Sequence, residues 1–316
     1  MKHRILQAGR LLPALEQRLA ADYALHRLAD EADPDAFLAR HGADFAGLVT
    51  SAGGTGAPTA LIGALPSLRV ISSFGVGLDR IDLTAAHARG IAVGYTPDVL
   101  NDCVADTAFA LLLDVARRTA EADRFVRAGR WASGQVFGLG RKVSGARLGI
   151  VGLGRIGQTI ARRAGGFDMD VRYHSRRAVA GAPWAHEPAL LELARWADFL
   201  VVITAGGTET RHLIEAQVLQ ALGPQGFLVN VSRGSVVDEA ALVQALQSGA
   251  IAGAGLDVYQ DEPRVPEALL SLDNVVLLPH VASATHETRR AMAELVLANL
   301  QSFFATGRVA VAAPTA

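Results

Sequence analysis

Residues 148–166 read LGIVGLGRIGQTIARRAGG. The apolar run LGIV predicts a short buried strand, and the stretch after the glycines predicts an amphipathic helix. Three glycines stand between them, and each has a physical task in a strand–turn–helix unit. Gly152 permits the tight turn, Gly154 lets the backbone approach a pyrophosphate, and Gly157 lets the helix pack close to the strand. The helix start then supplies amides and partial positive charge to an anion. The spacing predicts a dinucleotide-binding turn; a purely structural turn is the alternative reading.

The next expected strand decides which dinucleotide. It runs through VRYHSRR, residues 171–177. An acidic residue at its end would accept hydrogen bonds from the ribose hydroxyls of NAD and repel a 2′-phosphate. Here Ser175, Arg176 and Arg177 offer a hydroxyl and two guanidinium groups, which donate to phosphate oxygens. NADPH is therefore the expected cofactor, with NADH accepted more weakly. A solvated basic turn that touches nothing is the competing interpretation.

Outward from this unit, β-like runs alternate with helical ones, the rhythm of parallel sheets with crossover helices. On the N-terminal side they are RILQA, YALHRL, GLVT, RVISS and IAVGY, with helices expected near Leu11–Ala21, from Pro34, near Thr59–Leu65 and near Leu83–Arg89. From Arg147 the rhythm resumes with RLGIVG, MDVRYH, DFLVVIT, GFLVNVS, AGAGLDVY and NVVLLPH, the six strands of a doubly wound dinucleotide fold. Between the two sets, DTAFALLLDVARRTAEADRFVRAG predicts one long helix closed by Gly129, with an apolar face wide enough for a neighbouring domain or subunit. A last helix, HETRRAMAELVLANLQSFFATG, is expected to end at Gly307 and to return to the first domain. The expected boundaries are 1–98 with 286–316 for one α/β domain and 99–285 for the cofactor domain inserted into it.

Composition narrows the partners. The 316 residues are half hydrophobic and carry 30 basic against 31 acidic side chains, so nothing global steers the chain toward nucleic acid or an anionic membrane. A small molecule or a second copy is the expected partner. Cys103 stands alone and cannot form an internal disulfide. The N-terminus MKHRILQAGRLLPALEQRL lacks the apolar core of a secretory signal, and every apolar stretch is broken before membrane-spanning length, so a cytoplasmic location is expected.

Ligands of open α/β sheets bind outside the carboxyl ends of the strands, so reactive residues are sought there. FLVNVS is followed by Arg233, GAGLDVY contains Asp257 and leads to Glu262, and NVVLLP is followed by His280. Together they suit reduction of an α-keto acid: His280 protonates the carbonyl oxygen, Glu262 pairs with the ring, and Arg233 binds the carboxylate. Taken singly, a histidine after proline is more often structural and an exposed Glu or Arg is mostly solvated; their convergence carries the reading. In SSFGVGLDRID, the turn around Val76 and Gly77 could aim amides at a substrate carboxylate from across a cleft, or could be a plain strand-to-helix turn. His87, His186 and His286 lack such a setting, and no His/Cys/Asp cluster has metal-ligand spacing, so no metal is expected.

Taken together, SSFGVGLDRID, VSGARLGIVGLGRIGQ, ETRHLI, LVNVSRGSVVDEAALVQAL, GAGLDVYQDEP and NVVLLPHVASATHETR closely resemble the D-isomer-specific 2-hydroxyacid dehydrogenases. Within that family the chain is most similar to NADPH-dependent glyoxylate, hydroxypyruvate and hydroxyphenylpyruvate reductases, whose second strand also ends in Ser-Arg. The resemblance implies a cofactor domain inserted into a flavodoxin-like substrate domain, and chemistry on Arg233, Glu262 and His280. It also implies substrate contacts from Val76, Gly77 and Ser283, and cofactor contacts from Arg155, Ile156, Thr204, Ala205, Val231 and Asp257. The loop Thr204–Gly207 departs from the commoner proline-containing version. A homodimer through the cofactor domains is implied, with the helix around Asp106–Thr119 at its interface. A 2-ketogluconate reductase of the same family and a dinucleotide-sensing corepressor are the alternatives.

Overall fold

A computed structural model describes residues 2–314. It divides into two compact units, Met1–Leu100 with Thr285–Ala316, and Asn101–Ala284.

The first unit holds a five-stranded sheet of β1 (Arg4–Gln7), β2 (Ala24–Arg27), β3 (Gly47–Ser51), β4 (Val70–Phe74) and β5 (Ala92–Gly94). Every neighbouring pair is parallel and the order is β2-β1-β3-β4-β5, the flavodoxin-like order expected. β3 and β4 are almost wholly buried because helices cover both faces, which is why they read as apolar runs rather than as alternation. The returning helix, His286–Thr306, lies on this sheet. Its buried Asn299 donates Nδ2 to the Tyr95 carbonyl at 3.2 Å, and a Cβ on Gly94 would sit 2.6 Å from the Asn299 Cγ, so glycine at 94 is what lets the helix approach.

The second unit holds β6 (Arg147–Val151), β7 (Asp170–His174), β8 (Ala185–His186), β9 (Phe199–Val202), β10 (Phe227–Asn230), β11 (Gly253–Leu256) and β12 (Val275–Leu277). All pairs are parallel, in the order β12-β11-β10-β9-β6-β7-β8. The six expected strands are present; β8 is an addition, too short at two residues to show any period. The order in which strands are added reverses at β6, which pairs with β7 on one side and β9 on the other, so the switch point falls beside Gly152.

The long helix expected from Asp106 to Gly129 is two helices. The first, Asn101–Arg117, starts earlier, and the second, Thr119–Arg127, follows a break at Arg118, whose φ is 57°. The Asp114 carboxylate accepts from the Thr119 hydroxyl and the Ala120 amide, at 2.6 and 2.7 Å, and so starts the second helix anew. The apolar face of Asn101–Arg117 is consumed by its own sheet. Side chains on Gly253 and Gly255 of β11 would come within 2.9 Å of Val115 and Leu111, so the glycines of that strand make the seat for the helix. The exposed apolar side chains follow instead: Trp131, Val136 and Leu139 are 70%, 92% and 96% exposed. No helix among the described residues is long and apolar enough to cross a membrane.

Candidate active site

At the β6 turn two of the glycines answer steric demands, and the third leaves room. Gly152 has φ 102°, and a Cβ there would lie 2.8 Å from the Thr204 amide nitrogen. On Gly157 a Cβ would lie 2.1 Å from the Gly152 carbonyl oxygen, so helix and strand could not pack. Gly154 differs: a Cβ would meet open space, directly in front of the helix Arg155–Ala164, which no side chain caps. Open room before an uncapped helix start is what a pyrophosphate needs, so the residues present fit a dinucleotide. Ile156 lies in the first turn, Thr204 and Ala205 follow β9, and buried Val231 follows β10, all at carboxyl ends of strands.

The loop after β7 is open by comparison. Arg176 and Arg177 are exposed, and Arg176 pairs with Glu209 at 2.5 Å, the two side chains being 87% and 74% exposed. The Ser175 hydroxyl donates to the Arg177 carbonyl at 2.6 Å, so it must turn before it can donate to a ligand. His186 frames this loop: its Nε2 lies 3.0 Å from the Ser175 carbonyl oxygen.

The ends of β10, β11 and β12 bring Arg233, Asp257, Glu262 and His280 together. His280 follows β12 with φ 54°, and its Nδ1 lies 2.7 Å from Glu262 Oε2. An ionised carboxylate only accepts, so Nδ1 carries the proton in this bond, and Nε2 is the nitrogen left to exchange a proton with a ligand. Burial pushes the Glu262 carboxyl up, but the hydrogen bond and charge of His280, the Tyr259 amide and the Arg233 guanidinium outweigh it and hold the group below the ordinary carboxylate range.

The backbone around the pair is tied down by Asp257 and by two groups the sequence did not single out, Tyr259 and Asn230. Asp257 is buried, and its two oxygens accept the amides of Val281 and Ala282 at 2.7 and 2.9 Å, fixing the chain just beyond His280. Burial raises its carboxyl, against the pull of those amides. The Tyr259 hydroxyl donates to the Leu278 carbonyl at 3.0 Å, just ahead of His280, and burial pushes its phenol up, so it remains a donor. Asn230 shapes the loop that carries Arg233: its Oδ1 accepts from the Ser232 hydroxyl at 2.7 Å and its Nδ2 donates to the Arg233 carbonyl at 3.1 Å. A Cβ on Gly234 would fall 1.8 Å from the Tyr259 carbonyl carbon, so glycine after Arg233 lets that loop press against the turn bearing Glu262. Ser283 lies half-exposed three residues past His280.

Val76 and Gly77 belong to the first unit. The turn before them is pinned by Gly75, with φ 145° and its amide donating to the Thr96 hydroxyl at 3.0 Å; the amides of Val76 and Gly77 have no backbone partner among the described residues. No group of three His, Cys, Asp or Glu side chains among the described residues could hold a metal ion.

A dinucleotide turn at a sheet switch point, with an imidazole–carboxylate pair and an arginine at neighbouring strand ends, defines a nicotinamide-dependent oxidoreductase. The chain belongs to the D-isomer specific 2-hydroxyacid dehydrogenase family, whose NAD binding domain matches residues 109–282. It is 47% identical over 290 residues to hydroxyphenylpyruvate reductase from Plectranthus scutellarioides, covering 92% of each chain. It is 45% identical over 301 residues to 2-ketogluconate reductase from Gluconobacter oxydans, covering 95% of each. Among solved structures, the NADPH-dependent glyoxylate/hydroxypyruvate reductase from Sinorhizobium meliloti, in complex with NADP and malonate, superposes with a TM-score of 0.94 at 45% identity, covering 100% of this chain and 98% of that one.

Proposed function

We propose that the protein reduces a small 2-keto acid, of the glyoxylate, hydroxypyruvate or hydroxyphenylpyruvate type, to the D-2-hydroxy acid with NADPH. The observation that carries this reading is the His280–Glu262 contact of 2.7 Å at a strand end neighbouring that of Arg233. Bound NADPH supplies the hydride. His280 gives the carbonyl oxygen its proton from Nε2, Glu262 orients the ring through Nδ1, and Arg233 binds the substrate carboxylate and polarises the carbonyl. Ser283 and the amides of Val76 and Gly77 are assigned to the substrate; the first unit is the substrate domain, with expected limits 1–98 and 286–316, and the second the cofactor domain, 99–285. Asp257 and Val231 are assigned to the nicotinamide end, Gly152, Gly154, Arg155, Ile156 and Gly157 to the pyrophosphate, and Thr204 and Ala205 to the adenosine half. Ser175, Arg176 and Arg177 take the 2′-phosphate, with Arg176 exchanging Glu209 for it.

A homodimer through the cofactor domains is supported by exposed Trp131, Val136 and Leu139, because apolar side chains this exposed and this close in sequence favour a protein contact. Trp131→Glu should shift the protein toward monomer in sedimentation. A cytoplasmic location is supported by the lone Cys103, which suits a reducing compartment. 2-Ketogluconate is kept as a substrate because of the Gluconobacter relative. The deciding experiment follows the loss of reduced-nicotinamide absorbance with glyoxylate, hydroxypyruvate, hydroxyphenylpyruvate and 2-ketogluconate, each with NADPH and NADH. Turnover with at least one acid and a preference for NADPH are expected. Binding of NADPH without turnover of any acid would favour a corepressor-like sensor.

A further inference from the structure

Two of the stretches that carry the family resemblance, ETRHLI and VVDEAAL, contribute His212 and Glu239, to which the catalytic scheme gives no part. Both reach the turn that bears Glu262. Glu239 opens the helix Glu239–Gln247 behind its cap Asp238, and its half-buried carboxylate accepts the Gln260 amide at 2.7 Å through Oε1. His212 reaches the same residue from its other end, its Nε2 donating to Gln260 Oε1 at 3.2 Å. His212 is itself held beside this helix, since its amide donates to the Ser235 carbonyl at 2.9 Å and Ile214 bridges to Val237. One residue earlier the Tyr259 amide donates to Glu262 Oε1 at 3.1 Å, and the Tyr259–Gln260 peptide lies on Gly234. The Gln260 peptide packs on Gly234, but the residue is otherwise exposed, so the two polar contacts are what hold it laterally.

We propose that Glu239 is a positioning residue for the reaction: with His212 it clamps Gln260 at both ends and so holds the turn Tyr259–Glu262 where the Glu262 carboxylate meets the His280 ring. The inference rests on the reading of His280 and Glu262 as the proton-donating pair. Glu239 keeps this place against electrostatic cost. Burial, together with the like charges of Asp261 and Glu262, pushes its carboxyl up, while the Gln260 amide and His212 act the other way. What the turn needs from position 239 is therefore an acceptor oxygen at the right reach rather than a negative charge.

That distinction makes the test. Glu239→Gln keeps the reach and loses the charge. Glu239→Asp keeps the charge and withdraws the oxygen by one carbon–carbon bond, ~1.5 Å. With NADPH and hydroxypyruvate, Glu239→Gln is expected to retain wild-type kcat, while Glu239→Asp and Glu239→Ala lose kcat by about tenfold to a hundredfold, as a small misplacement of a reacting group does. KM for NADPH should stay unchanged in all three, which a general loosening of the unit would not leave alone. Added to Glu262→Gln, the Asp substitution should cost nothing further. Should the Ala variant fail to fold, the Asp and Gln pair still decides. Equal kcat in the Asp and Gln variants, or a Gln variant worse than Asp, overturns the proposal. A crystal structure of Glu239→Asp gives a readout independent of turnover: Glu262 Oε2 beyond hydrogen-bond reach of His280 Nδ1 supports the clamp, and an unchanged 2.7 Å contact refutes it even if the keto-acid reading itself has failed.

Discussion

The two polar ends of the cofactor unit are built on opposite plans. Around His280 the groups form a connected set of ties: the ring to Glu262, Glu262 to Tyr259, the backbone beyond His280 to Asp257, and the backbone before it to Tyr259. Around Arg176 the ties are an exposed ion pair with Glu209, a short hydroxyl-to-carbonyl bond at Ser175 and the His186 contact to the Ser175 carbonyl, and none of them is made to the Arg177 side chain. Proton transfer needs its donor placed to a fraction of an ångström, and half-buried hydrogen bonds supply that placement. Recognition of a phosphate needs charge within reach, and long side chains in water supply it. Losses at the first end should therefore appear in kcat, and at the second in KM for one cofactor.

The sharpest attempt to break this contrast is His280→Ala. It should lower kcat for keto-acid reduction by roughly 10²- to 10⁴-fold, the range of general acid catalysis, while NADPH still binds by fluorescence titration. Near-normal turnover would remove the acid role. Gly234→Ala should come next: its methyl group would meet the Tyr259–Gln260 peptide, whose carbonyl carbon lies 1.8 Å from the Cβ position, and something must shift. A loss of kcat on the order of 100-fold is expected, from displacement of Glu262 rather than from lost substrate binding. A normal kcat with raised KM would mean that the glycine serves the arginine loop alone.

At the open end, Arg176→Ala with Arg177→Ala should raise KM for NADPH by about tenfold, because these are charge-assisted contacts in a solvated setting, and should hardly change KM for NADH. Equal effects on both cofactors would show that the loop does not read the 2′-phosphate. The smallest effect is one of pH. Glu262 has a depressed carboxyl in the folded protein, so its contribution to stability is fully present above the ordinary carboxylate range and is lost as pH falls through the depressed value. The stability gap between wild type and Glu262→Gln in urea should narrow on acidification. A widening gap would contradict the assigned direction.

The same contrast explains what the letters revealed. The glycine turn was legible because Gly152 and Gly157 answer steric demands that no other residue meets. The strands were legible because sheets covered on both faces demand apolar runs. His280, Glu262 and Arg233 stood out because chemistry restricts residue type at strand ends. The tethers did not stand out. Asn230, Tyr259 and Glu239 are ordinary letters whose roles exist only once strands from distant parts of the chain lie side by side. The break at Arg118 was equally hidden, since its flanking residues keep a helical period and only the capping by Asp114 shows where one helix yields to another.

The proposed reduction turns on a proton passing from His280 to the carbonyl oxygen of a bound keto acid. The most direct measurement is a crystal structure with NADPH and oxamate, an unreactive amide analogue of such an acid. His280 Nε2 should lie within hydrogen-bond distance of the oxamate amide oxygen, with Arg233 on the carboxylate and Nδ1 still held by Glu262. A ring turned away from the ligand, or an oxamate bound with its carboxylate elsewhere, would contradict it.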